Sequence, residues 1–158
     1  MNQAVSLIGR TVPAFSAPAT GAKAFDLEAH KGRHVVLYFY PKDSTPGCTV
    51  EGQQFRDLHE QFLAAGCDVY GVSRDSLKSH ENFKAKMEFP FALISDADET
   101  VCQLFGVIKM KSMYGKQVRG IERSTFVIDA AGVVRGEWRG VKVPGHAAEV
   151  LALVKGLG

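Results

Sequence analysis

Six consecutive residues, Val35-Val36-Leu37-Tyr38-Phe39-Tyr40, carry no charge. A strand with one wet face alternates apolar and polar residues. An unbroken run of this kind is instead expected of a central strand covered on both faces. The run leads directly into Pro41-Lys42-Asp43-Ser44-Thr45-Pro46-Gly47-Cys48, and a segment that reads as helix, Thr49 to Leu63, follows. Cys48 is therefore expected in the first turn of a helix that begins just beyond the end of a strand. Unpaired backbone N–H groups and the positive end of the helix dipole favour a negatively charged sulfur there, which is the physical recipe for a reactive cysteine.

The flanking sequence alternates in the same way. Residues 1–34 hold Pro13, Pro18, Gly21 and Gly32 and read as turns with a small hairpin. In the helix from about 48 to 64, Val50, Phe55, Leu58 and Phe62 are expected to form the buried stripe, and Gly66 ends it. Strands are expected at 68–73, 91–95 and 124–128, with a hairpin partner at 133–138 after the turn at 129–132. Ser76 caps a helix through Lys86, Asp96 or Asp98 opens another that ends near Gly106, and a last helix follows Pro144-Gly145-His146. Residues 107–120, with Lys109, Lys111, Lys116 and Arg119, read as a mixed loop that is either a solvated face or a docking patch for an acidic reductant. The sum is an α/β fold with a central mixed sheet flanked by helices, in a single domain spanning 1–158.

Composition narrows the function. A chain of 158 residues with 46% hydrophobic residues and a formal net charge of +2 is an ordinary globule, with no clustered basic stripe for nucleic acid. No apolar run approaches the roughly 18 residues needed to cross a bilayer, and the N-terminus lacks the pattern of a secretory signal, so a cytoplasmic protein is expected. Three cysteines, Cys48, Cys67 and Cys102, at wide spacings are not a disulfide framework. They form no CxxC, and the five histidines have no zinc-like spacing with them, so no metal and no cofactor are implied. His59 lies about three helical turns from Cys48, too far for a Cys–His hydrolase pair.

Cleaving a peroxide O–O bond requires an ionised sulfur, an oriented peroxide and donors for the charge developing on the departing oxygen. Thr45, three residues before Cys48, offers a hydroxyl that donates and accepts. The amides of Gly47 and Cys48 are further donors, and Pro41 and Pro46 restrict the loop and shield the sulfur. A guanidinium completes such a site, and Arg123, directly before the strand at 124–128, is the best-placed one; its plainer role is an ion pair with Glu122 or Glu51. Glu51, in the first helical turn, suits the dipole and is either structural or an orienter for Arg123.

The pattern Pro41-x-x-x-Thr45-x-x-Cys48 resembles the active site of peroxiredoxins. The wider stretch FYPKDSTPGCTVEGQQFRD, from Phe39 to Asp57, looks like the bacterioferritin comigratory protein branch, or PrxQ group. GVSRDS at 71–76, SHENF at 79–83, GIERSTFVID at 120–129 and VKVPGH at 141–146 extend the likeness over most of the chain. The resemblance implies a thioredoxin-like fold of peroxiredoxin type with an N-terminal extension, usually monomeric. It implies Cys48 as the peroxidatic cysteine, activated by Thr45 and Arg123 and shielded by Pro41. Its substrates would be hydrogen peroxide and organic hydroperoxides, and its reductants thiols.

The chain departs from that branch at the second sulfur. Some members place a resolving cysteine five residues after the peroxidatic one, where this chain has Gln53; others place it in the next helix, where this chain has Lys84. Cys67 is expected to be buried in a strand, and Cys102 to lie on a helix and in or near the protein core. A one-cysteine cycle is the leading expectation, with a Cys48 sulfenic acid reduced by an external thiol such as glutathione with glutaredoxin, or by the thioredoxin system. The alternatives are an atypical two-cysteine cycle through Cys102, less readily Cys67, and a redox sensor or chaperone switched by Cys48 oxidation.

Overall fold

In the computed structural model, which describes residues 5–158, the apolar run that begins at Val35 forms β3 (His34–Phe39). Its side chains alternate between two cores. Val35, Leu37 and Phe39 enter one, and Val36 and Tyr38, with Tyr40 just beyond the strand, enter the other. Both faces of β3 are covered, as an unbroken apolar run requires.

β3 lies in a seven-stranded sheet with β1 (Ser16–Ala19), β2 (Lys23–Asp26), β4 (Cys67–Ser73), β5 (Leu93–Ser95), β8 (Ser124–Ile128) and β9 (Val134–Arg139). The order is β2-β1-β5-β4-β3-β8-β9. β3, β4 and β5 are parallel, whereas β8 pairs antiparallel with β3 and β9 antiparallel with β8. The helices are α1 (Pro46–Ala64), α2 (Leu77–Met87), α3 (Thr100–Phe105) and α4 (His146–Gly156). Side chains of α1, α2 and α4 pack into the core that holds Val36 and Tyr38; those of α3 pack on the opposite face, with Phe25 and Leu27 from the β1–β2 region. No helix among the described residues is long and apolar enough to cross a membrane. Residues 1–4, the start of the expected N-terminal extension, lie outside the described residues.

Local chemistry explains most boundaries. α1 has Pro46 in its first turn, where a missing N–H costs nothing, and ends at Ala65 before Gly66, whose φ of +74° suits only a residue without Cβ strain. Ser76 caps α2 by accepting from the Ser79 amide at 3.2 Å. Two expectations need correction. The helix expected to open at Asp96 or Asp98 begins at Thr100, because those aspartates act on it from outside: Asp96 accepts from the amides of Val101 and Cys102, and Asp98 from that of Thr100. Residues 107–120 are not a loop but mostly a hairpin, β6 (Ile108–Met113) and β7 (Lys116–Ile121), turned at Tyr114-Gly115 with φ of 53° and 77°. Among its described side chains, only Ile108 and Ile121 at the base reach the core, so its strands lack the apolar alternation that announces a strand.

Candidate active site

Two features of the sheet bring the site together. The chain leaves β3 at Phe39 and, after a short loop, re-enters regular structure at Pro46, so Cys48 falls in the first turn of α1 at the carboxyl end of a central strand. The antiparallel register pairs Phe39 with Ser124, which delivers the residue before Ser124 to the same end. That residue is Arg123. Its Nη2 lies 3.4 Å from Cys48 Sγ, and its Nη1 donates to Glu51 Oε1 at 2.6 Å. Glu51 follows Cys48 by three residues and shares its helix face. A Cβ on Gly47 would stand 3.1 Å from Arg123 Nη2, so the absent side chain leaves room for the guanidinium.

Cys48 is 2% exposed and Glu51 1%. Burial pushes the Glu51 carboxyl up to about 7, against an opposing pull from Arg123 that offsets only part of it. Its second oxygen, Oε2, is buried without a hydrogen-bond partner. On Arg123, burial works against the charge, but Glu51 and Cys48 outweigh it and raise its already high value further.

The remaining expected residues divide. Thr45 sits at the N-cap of α1, yet its hydroxyl donates to the Lys42 carbonyl at 2.8 Å rather than capping the helix. Pro41 is half-buried at the head of the loop. Cys102 belongs to the core on the other face of the sheet from Cys48, and burial with the neighbouring Asp96 pushes its thiol far up. Cys67 shares the Cys48 face but pairs with His34 at the opposite end of β3. Burial raises its thiol to about 12. All three sulfurs are buried and free. Val50, expected in the buried stripe of α1, is 43% exposed, and Glu51 and Gly52 occupy that face.

One cluster went unseen in the sequence. Asp43, Asp75 and His80 bring ligand atoms within 4.8 Å of one another beside the Cys48 loop. The two carboxylates already receive protein hydrogens: Asp43 takes donors from Tyr40, Ser79 and His80, and Asp75 Oδ2 takes the Asp43 amide and the Ser73 hydroxyl. The cluster forms an internal hydrogen-bond network. Asp43, Asp75 and His80 each fall in a stretch that carries the family likeness, FYPKDSTPGCTVEGQQFRD, GVSRDS and SHENF, but nothing in the sequence places the three together.

Residues 8–137 match the AhpC/TSA family. The chain belongs to that family. This AhpC/TSA-family chain is 57% identical over 136 residues to Peroxiredoxin Bcp of Xanthomonas campestris, covering 86% of this chain and 85% of that one. It is 45% identical over 148 residues to Peroxiredoxin Bcp of Bacillus subtilis, covering 94% of each. Among solved structures, a Xylella fastidiosa PrxQ cysteine-to-serine variant superposes with a TM-score of 0.93 at 45% identity, covering 98% of this chain and 99% of that one. A Xanthomonas campestris Peroxiredoxin Q structure gives 0.86 at 55% identity over 90% of both. The fold is the thioredoxin-like peroxiredoxin fold, and this family member is a thiol-dependent peroxidase of the Bcp/PrxQ kind, with a hydroperoxide substrate and a thiol reductant.

Proposed function

We propose that Cys48 is the peroxidatic sulfur of a one-cysteine cycle, with Arg123, Thr45 and Pro41 completing the site and Glu51 orienting Arg123. The observation that carries this reading is the guanidinium bridging Cys48 Sγ and the buried Glu51 carboxylate. The Cys48 thiolate attacks the terminal oxygen of R–O–O–H; the S–O bond forms, the O–O bond breaks, and the electron pair leaves on RO⁻. A proton converts RO⁻ to ROH and Cys48 is left as sulfenic acid. Arg123 donates to sulfur and to the reacting oxygens, where charge shifts during the step. Because the Thr45 hydroxyl hydrogen is committed to Lys42, its lone pairs are free to accept the peroxide O–H.

An external thiol R′–SH then attacks the sulfenic sulfur, releasing water and forming a mixed disulfide, and a second thiol restores Cys48–SH with release of the external disulfide. The positions of the other cysteines support this route. A disulfide needs Cα atoms within about 7 Å. Cys102 lies behind the sheet, and Cys67 lies beyond the far end of α1, about 24 Å along the helix from Cys48 at 1.5 Å per residue. We assign hydrogen peroxide and organic hydroperoxides as substrates, and glutathione with glutaredoxin, or a thioredoxin, as reductant. Such thiols abound in a reducing compartment such as the cytoplasm. We assign a monomer as the working unit, as the likeness to the PrxQ group implies.

The test is intact mass and peptide mapping after one equivalent of hydrogen peroxide, with rapid thiol blocking. One oxygen confined to Cys48, or a mixed disulfide there when glutathione is supplied, is expected. A stoichiometric Cys48–Cys102 or Cys48–Cys67 bridge would overturn the one-cysteine cycle. An unmodified Cys48 would overturn its assignment.

A further inference from the structure

The loop that carries Cys48 is anchored through a carboxylate that takes no part in the chemistry above. Asp43, 6% exposed, accepts from the Tyr40 hydroxyl at 2.6 Å on one oxygen, and from the Ser79 hydroxyl at 2.8 Å and His80 Nδ1 at 2.7 Å on the other. Burial alone would raise Asp43, but the donors from His80 and Tyr40 outweigh it and hold the carboxyl below its usual range. The other ring nitrogen of His80, Nε2, lies 2.9 Å from the Ile94 carbonyl. His80 itself is fully buried. Through its two ring nitrogens, His80 in α2 thus bridges the β5 backbone to the loop.

Two features make the loop between Asp43 and Cys48 stiff enough to transmit that grip. Ser44 is held at a φ of +63°, and Pro46 fixes the start of α1. The parallel pairing that sets Val72 beside Phe39 brings Asp75 next to the same loop, where its carboxylate accepts the Asp43 amide at 2.9 Å. Asp43 is therefore held at both its backbone and its side chain, only five residues before the sulfur.

We propose that His80 is a positioning residue for the peroxide step: through Asp43 it holds the 41–47 loop so that the Thr45 hydroxyl and the Gly47 and Cys48 amides face the bound hydroperoxide. The proposal rests on Cys48 being the peroxidatic sulfur. Peroxide must meet an oriented loop, whereas a simple alkylating reagent needs only an accessible sulfur. The ratio of the two rates therefore reads position separately from folding.

The experiment measures the second-order rates of Cys48 with hydrogen peroxide and with iodoacetamide, in the parent protein and in His80→Leu, His80→Gln and His80→Asn, at a temperature where circular dichroism shows each folded. Asparagine can place an amide hydrogen near the Nδ1 position and keep the Asp43 bond; glutamine reaches toward Ile94 instead. The expected result is a fall of roughly 10- to 100-fold in the peroxide rate for the Leu and Gln variants, the scale of a small misplacement in an active site. Their alkylation should be unchanged or faster, and the Asn variant should stay within a few-fold of the parent. Ser79→Ala, which removes one donor to Asp43 from the surface of α2, should move the ratio the same way and stands in for any His80 variant that does not fold. An unchanged ratio in these variants, or an Asn variant no better than Leu, would overturn the positioning role. A parent protein whose Cys48 does not oxidise would overturn the underlying reading instead.

Discussion

Replacing Glu51 by glutamine should separate what this carboxyl does for stability from what it does for chemistry. In the unfolded chain it titrates near its ordinary value of 4.5, whereas burial beside Arg123 leaves it at about 7 in the fold. Between those values the folded protein keeps a proton that the unfolded chain has released. The stability associated with Glu51 is therefore complete below pH 4.5 and is lost as pH rises through 7. About 2.5 pH units at about 1.4 kcal/mol each is on the order of 3 kcal/mol. That figure already includes the attraction of Arg123. Glutamine mimics the neutral carboxyl, so E51Q should match the parent near pH 4.5 and exceed it by up to about that amount at pH 8. Urea unfolding of both proteins at steps from pH 4 to 8, at fixed ionic strength, isolates the effect in the difference between them. The same substitution exchanges an ion pair with Arg123 for a hydrogen bond to a neutral amide, and the peroxide rate should fall about tenfold. A stability difference that does not change between pH 4.5 and pH 8 would refute the reasoning.

Arg123→Met removes both the donor at the sulfur and the counter-charge of Glu51. The peroxide rate should fall roughly 10²- to 10³-fold by stopped flow. Stability at pH 8 should fall by about 3–5 kcal/mol, with a smaller loss near pH 5 where Glu51 is protonated. Gly52→Ala would place a Cβ 2.4 Å from Phe89 Cζ inside a packed aromatic cluster, so a loss of about 1–3 kcal/mol is expected in denaturant unfolding. Adding Phe89→Leu should recover part of it, and an unchanged midpoint in the single variant would contradict the packing.

The elements that could be read in advance are those whose signal is local. The run from Val35 to Tyr40 could only be a strand covered on both faces, and Ser76 announced the start of α2 through its own cap. Cys48 was legible for the same reason, since a strand, a proline-restricted loop and a helix start are contiguous. The placement of Arg123 depended on the β3–β8 register, which spans more than eighty residues of chain, so the sequence nominated the residue without its geometry. The Asp43–His80 bond was not legible at all, because it forms only after β4 pairs with β3 and α2 folds back over the loop. Hydrophobic periodicity misled in α1, where it selected Val50. The buried position belongs to Glu51, an acid that no apolar pattern would place inside.

In the proposed one-cysteine cycle, the sheet that separates Cys48 from Cys102 also governs how long an oxidised sulfur persists. An internal partner would end the sulfenic acid at a rate fixed by the chain, whatever the surroundings contain. With Cys102 behind the strands and Cys67 at their far end, the folded molecule offers no such clock. The lifetime of the intermediate then varies inversely with the concentration of thiol outside, and so does the chance that a second peroxide arrives first and carries the sulfur to sulfinic acid. In that cycle, a partition built to bury hydrophobic side chains ties the survival of the enzyme to the thiol supply around it.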